Sequence, residues 1–83
     1  MKEALTKIIT TGITNNDCDY NKMYYKQSVK GMSYYGYLAD LTVRHMGIKE
    51  EHKADFLATV KDADSIESAI ALTVEAIMAK MSK

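Results

Sequence analysis

The chain has 83 residues, and its 11 basic and 11 acidic side chains give a formal net charge of zero. This length allows one domain at most, so residues 1–83 are predicted to form a single unit. A neutral balance argues against a duplex-binding protein, which is normally basic overall. The single cysteine excludes an intrachain disulfide and a zinc site built on cysteine pairs.

The missing disulfide makes self-association the expected means of stabilising so small a core. A core of this size supplies only roughly 3–5 kcal/mol of net stability. We therefore expect a homo-oligomer, a dimer or higher.

Scarce cysteine and the lack of an apolar run of about 18 residues favour a cytoplasmic protein without a membrane segment. The frequent Lys, Tyr, Asn and Ile residues are typical of a phage or a low-GC bacterium.

The first predicted helix runs from Lys2 to about Thr11. Gly12 follows it at the position where a left-handed conformation commonly ends a helix, and Ile13 comes next, where it can contact Ile8. This pattern predicts a helix end at Gly12.

A polar segment over residues 14–19 precedes a long second helix, predicted over approximately 18–46. Gly47 is predicted to end this helix in the left-handed conformation, with Ile48 against Val43. Drawn straight, about 27 residues span roughly 40 Å, whereas a compact chain of this length is only about 30 Å across. Either the helix bends at Gly31 and Gly36, or a second copy covers the end that projects.

Two further helices are predicted in the last third of the chain. One covers residues 49–61, and the other follows a capping box in which Asp64 is the N-cap and Glu67 is the third helical residue. The chain lacks the apolar–polar alternation of a half-buried strand. The predicted fold is therefore all-α: a small bundle of about four helices with one long central helix, completed by self-association.

Several residues of the long helix recur three or four positions apart, which is the spacing of a helix-association seam. Small residues in such a seam allow a partner backbone to approach closely, and tyrosine is enriched at protein interfaces. The predicted seam consists of Tyr24, Ser28, Gly31, Tyr35, Leu38 and Thr42. We infer a non-enzymatic interaction protein that binds another macromolecule, as a regulator, an adaptor or a phage-type inhibitor of a host protein does.

The same segment also supports a different hypothesis. Residues 20–39 contain three lysines and no acidic residue, and the lysines are spaced four apart on one predicted helix face. Ammonium groups attract phosphates, and tyrosine rings stack on bases. The alternative is thus a protein that binds an anionic nucleotide or nucleic acid through Lys22, Lys26, Lys30, Tyr24, Tyr25 and Tyr34.

Other candidate sites fail on spacing or chemistry. His45 and His52 are separated by Gly47 and do not share one helix face, so a metal site is not expected. Two neighbouring carboxylates disfavour the thiolate of Cys18, which makes this thiol a poor nucleophile. We therefore expect no catalysis, no metal and no cofactor.

Overall fold

The computed structural model describes residues 2–47 and 49–81, and these residues form five helices without a strand. The Cα radius of gyration is 12.0 Å, and the principal extents are 37, 24 and 21 Å. The predicted all-α class is confirmed. The helices are α1 (Lys2–Asn16), α2 (Asp19–Ser28), α3 (Tyr34–His45), α4 (Glu50–Val60) and α5 (Ile66–Met81).

Helix α3 lies at the centre of the molecule and packs against α1, α2, α4 and α5. Five consecutive residues, Gly36 to Asp40, are buried, as are Thr42 and Val43. A helix buried on most sides is a core helix, against which the other helices pack. The buried hydrophobic cluster contains Ile9, Ile13, Leu38, Ala39, Val43, Phe56, Val60, Ala63, Ala69 and Val74.

The single long helix predicted over 18–46 is wrong, because the chain breaks between Ser28 and Tyr34 and folds back. Gly31 lies in the turn with φ of 84°, a left-handed conformation that glycine adopts without strain. The break brings the tyrosines of α2 against those of α3. The bend considered at Gly31 is thus a complete helix end, whereas Gly36 lies inside α3.

The start of α3 is fixed against the end of α4. The Ser33 hydroxyl accepts a hydrogen bond from the Gly36 amide at 3.0 Å and caps the helix, while the Ser33 amide donates to the Lys61 carbonyl at 2.7 Å. A Cβ at Gly36 would lie 2.5 Å from the Val60 carbonyl oxygen. Glycine is therefore needed here for the close approach of two backbones.

Helix α1 does not end at Gly12, as the sequence predicted, but continues to Asn16. A Cβ at Gly12 would lie 2.5 Å from Cγ2 of Thr42 on α3, so the missing side chain serves helix packing instead of a helix end. The Asn16 side-chain amide donates to the Thr42 hydroxyl at 3.0 Å, which fixes the last turn of α1 against α3.

The predicted left-handed glycine after the next helix end is confirmed. Gly47 has φ of 78°, and its amide donates to the Arg44 carbonyl at 3.2 Å. The predicted contact between Ile48 and Val43 lies outside the described residues.

The last two helices follow the predicted pattern with one correction at a cap. Phe56 and Val60 of α4 are buried. The cap of α5 is Ser65 and not Asp64, since the Ser65 hydroxyl accepts a hydrogen bond from the Ser68 amide at 3.0 Å. The helix therefore begins one residue later than the capping box with Asp64 implied.

Candidate interaction surface

Five tyrosines join α2 to α3. Their ring centroids are 5.4 to 6.5 Å apart, and the pairs include stacked, tilted and edge-to-face arrangements. Aromatic pairs of this kind contribute about 0.5–1.5 kcal/mol each beyond the area they bury. We call this group the tyrosine cluster: Tyr24, Tyr25, Tyr34, Tyr35 and Tyr37.

Two hydroxyls of the cluster bind groups of the same chain. Tyr25 donates to the Met32 carbonyl at 2.6 Å, across the turn between α2 and α3, and Tyr34 donates to the Asp17 carboxylate at 2.8 Å. Burial raises the pKa of Tyr34 well above its ordinary value, and the hydrogen bond to Asp17 raises this pKa further. Burial also raises the pKa of Tyr37 above its ordinary value.

One side of α2 leaves large apolar side chains exposed. Tyr20, Met23 and Tyr24 are 75%, 58% and 48% exposed, and their spacing places them on one side of the helix. No residue of α2 is buried. We call these three residues the α2 face.

A groove of about 420 Å³ runs between α2 and α3, beside the α2 face. One end carries an ion pair between Arg44 and Asp40, with Nε and Oδ2 3.0 Å apart; the Arg44 side chain remains 60% exposed. The groove is thus an open apolar channel with a charged end. It is lined by Tyr20, Asn21, Tyr24, Val29, Met32, Tyr37, Asp40, Leu41 and Arg44.

The three lysines of the nucleotide hypothesis do not lie on one continuous helix. Lys22 and Lys26 belong to α2, whereas Lys30 lies in the turn beyond its end. Lys22 is 3.8 Å from Asp17, and all three lysines are exposed. Within residues 2–47 and 49–80, Lys26 and Lys30 form no ion pair. The predicted stripe is therefore reduced to two lysines on α2 and a third in the turn.

The predicted seam is divided between the core and the surface. Leu38 and Thr42 are buried inside the molecule, and Tyr35 packs against the core. Ser28 and Gly31 lie at the break between the helices, so they do not belong to one rod. Of the predicted seam, Tyr24 alone contributes to the exposed α2 face.

The tyrosines of the nucleotide hypothesis are also divided. Tyr25 and Tyr34 form an edge-to-face pair at 5.4 Å and have their hydroxyls bound within the chain, which leaves less of each ring to a ligand. Tyr24 stacks on Tyr37 at 6.2 Å but is still half exposed. Tyr20, which is the most exposed, was not among the predicted residues.

Sequence analysis also missed Met23, although its pattern was visible. Apolar side chains at positions i, i+3 and i+4 form one helix face, and Tyr20, Met23 and Tyr24 fit this rule. Met32, Leu41 and Arg44 were missed for a different reason, because they reach the groove only after the chain folds back.

Two further cavities lie away from the α2 face. One, of about 530 Å³, lies among α3, α4 and α5, and its lining includes Lys80 and Asp55, which form an ion pair at 3.2 Å. The other, of about 330 Å³, lies between α1 and α5. We call the second one the α1–α5 groove; its lining residues are Lys2, Thr6, Glu67, Ile70, Ala71, Val74 and Glu75.

The remaining candidate side chains are dispersed. His52 lies 3.5 Å from the neighbouring Glu51 carboxylate, and His45 is exposed in the last turn of α3. Cys18 is exposed at the N-cap of α2 without a side-chain capping bond. Among the described residues, no three His, Cys, Asp or Glu side chains are grouped to hold a metal ion.

Comparison of the chain with protein-family models, curated proteins and solved structures gives no match. None of the helices in the described ranges is long and apolar enough to cross a bilayer.

Proposed function

We propose that this chain is a non-enzymatic interaction protein that binds another macromolecule through the α2 face and the adjoining α2–α3 groove. The observation that carries the proposal is the exposure of Tyr20, Met23 and Tyr24 on a helix that buries none of its own residues. Regulators, adaptors and inhibitors that occupy a surface on a host protein act in this way.

Helix α2 is too short to be stable without packing against another surface. A helix of 10 residues is marginal in water by itself, and its stability in a protein comes from packing an apolar face. Here part of that face is turned outward. Exposed tyrosine and methionine supply a large, adaptable contact area, which suits a surface that becomes covered in a complex.

Self-association belongs to the same proposal. The described residues leave Tyr20 and Met23 of the α2 face mostly exposed and Tyr24 half exposed, and a chain of 83 residues buries a modest core. A second copy is one macromolecule that can cover it.

The proposal is tested by capture from an extract of the source cells. Immobilised wild-type chain is compared with Met23→Asp, which places a charge on the α2 face. Ile8→Asp on α1 is the matched control, because Ile8 is 56% exposed and Met23 is 58% exposed. We expect the same proteins to be retained by the wild type and Ile8→Asp, and to be lost with Met23→Asp. Equal retention by all three would overturn the proposal.

A second candidate function is binding of an anionic nucleotide or nucleic-acid strand. The observation in its favour is that Lys26 and Lys30 lack ion pairs within the described residues and are close in sequence to the open rings of Tyr20 and Tyr24. Rings of this kind stack on bases, and lysines neutralise phosphates.

The salt dependence of binding distinguishes the two candidate functions. Binding of a fluorescent single-stranded oligonucleotide, measured by anisotropy, is expected to fall steeply with salt and to disappear in Lys26→Glu/Lys30→Glu if the second candidate holds. Lys49→Glu/Lys61→Glu carries the same charge change on the ends of α4 and serves as control. An oligonucleotide that fails to bind at low salt would exclude nucleic acid as the ligand.

A further inference from the structure

The α1–α5 groove combines an apolar floor with an acidic rim. Ile70, Ala71 and Val74 supply the floor, and the exposed Glu67 and Glu75 stand on the same helix. Eight residues of helix separate the two carboxylates along the axis by roughly 12 Å. Neither carboxylate forms an ion pair with any described residue. Lys2 contributes one positive charge to the lining from α1.

The α2 face has the opposite character. Its three apolar side chains project from a helix that carries Lys22 and Lys26 and is followed by Lys30. Asp17 lies 3.8 Å from Lys22, and Asp19 begins the helix, so the excess positive charge rests on Lys26 and Lys30, which form no ion pair with a described residue. One surface of the chain is thus apolar with excess positive charge, and another is apolar with excess negative charge.

We propose that the macromolecule bound by the α2 face is a second copy of this chain, which receives α2 in its α1–α5 groove. This inference rests on the proposed function, since it names the partner of the same face. Met23 and its neighbouring tyrosines enter the apolar floor, while Lys26 lies toward Glu67 or Glu75. Opposite charges at the edges of such a contact fix its orientation and speed association.

The proposed contact uses one α2 face and one groove for each pair of copies, so it is head-to-tail; a dimer that used both pairs reciprocally would stop at two copies. Each copy then offers one unused α2 face and one unused groove, and association continues until the ends meet in a ring or extends as an open chain. Species larger than a dimer are therefore expected at high concentration. A symmetric dimer formed by pairing two α2 faces would stop at two copies.

The test is solution mass, measured by light scattering over a concentration series. Lys26→Glu/Lys30→Glu reverses the charge beside the α2 face, and Glu67→Lys/Glu75→Lys reverses the groove. Each double variant alone is expected to associate about tenfold more weakly, because like charges then meet. An equimolar mixture of the two is expected to recover the association, since the mixture contains matched pairs. Lys49→Glu/Lys61→Glu is expected to behave as the wild type.

Other outcomes would overturn the head-to-tail contact. These are a wild-type mass of one copy at every concentration, a limit at two copies, or failure of the mixture to recover association while circular dichroism shows both variants folded. If Glu67→Lys/Glu75→Lys does not fold, Glu75→Lys within α5 replaces it in the mixture. If the wild type is strictly monomeric, self-association is excluded. The proposed function is then still tested independently by the capture experiment with Met23→Asp and Ile8→Asp.

Discussion

Two threonines in the core differ in how their hydroxyls are bound. The Thr42 hydroxyl donates to the Leu38 carbonyl at 2.9 Å and accepts from the Asn16 side chain at 3.0 Å. The Thr73 hydroxyl is fully buried and has no hydrogen-bond partner among the described residues. A buried polar group without a partner costs about 1–3 kcal/mol. The buried hydroxyl of Thr73 therefore lowers the stability of the fold.

This difference predicts opposite effects of the same substitution. Thr73→Val removes the unpaired hydroxyl with little change in shape, so the free energy of unfolding is expected to rise by about 1 kcal/mol. Thr42→Val is the matched control and is expected to lower it by about 1–2 kcal/mol, because it leaves the Asn16 amide without its acceptor. Urea unfolding measures both. Destabilisation by Thr73→Val would show that this hydroxyl is bound.

The raised pKa of Tyr34 predicts that the free energy of unfolding depends on pH in the alkaline range. Burial, followed by the hydrogen bond to Asp17, raises its pKa above the ordinary value of 10.0. The unfolded chain therefore loses this proton at lower pH than the folded chain does. Stability from Tyr34 is fully present below pH 10.0 and is lost as the pH rises above it.

The measurement compares urea unfolding of the wild type and Tyr34→Phe at neutral and alkaline pH. Tyr34→Phe is expected to be less stable by about 1 kcal/mol at neutral pH, because a hydrogen bond to a carboxylate is lost. It is also expected to lose less stability above pH 10.0. Absorbance of tyrosinate at 295 nm should lose a component of high pKa in this variant. Equal alkaline loss in both proteins would contradict the assignment.

At the scale of elements, α2 and α3 are contrasting parts of one hairpin. Helix α3 contributes Leu38, Ala39 and Val43 to the core, whereas α2 contributes no buried residue. Opening α2 exposes little apolar surface beyond the tyrosine cluster, while opening α3 exposes the centre of the molecule. Local unfolding of α2 is therefore expected to be far easier.

Amide hydrogen exchange, measured at low protein concentration, should show this contrast directly. Amides of α2 are expected to exchange about a hundredfold faster than those in the middle of α3, because α2 opens without unfolding the core. Helix α5 serves as a second well-packed reference. Equal protection of α2 and α3 would show that the hairpin unfolds as one unit.

The helices also show what local sequence can and cannot predict. Gly12 and Gly47 each follow a helix pattern and precede an isoleucine, yet Gly47 alone lies after a helix end. Glycine is required at position 12 because any side chain there would clash with Thr42. This contact joins residues 30 positions apart in the sequence. Periodicity reports neighbours along the chain, so it predicted the all-α class and missed a glycine required by a distant helix.

At the scale of the whole molecule, the break at Gly31 decides which predicted site residues meet. Periodicity continued through residues 28–34 and no proline interrupted it, so the excessive length of the predicted helix indicated at most a bend at Gly31 and Gly36. Leu38 lies in the core and Thr42 is buried against Gly12 of α1, whereas Tyr24 is half exposed on α2. The sequence therefore showed that residues 18–46 are rich in tyrosine and lysine. Which of these side chains are buried and which are exposed depends on the tertiary fold.

Because α2 buries none of its residues, its sequence can change over generations without disturbing the core. Substitutions at Tyr20, Met23 or Lys26 leave the core untouched, since none of these side chains contributes to it. Most surface substitutions of this kind alter stability by less than about 0.5 kcal/mol. Under the proposed function, a lineage can therefore exchange one binding specificity for another within the ten residues of α2 while the other four helices keep their sequence and their fold.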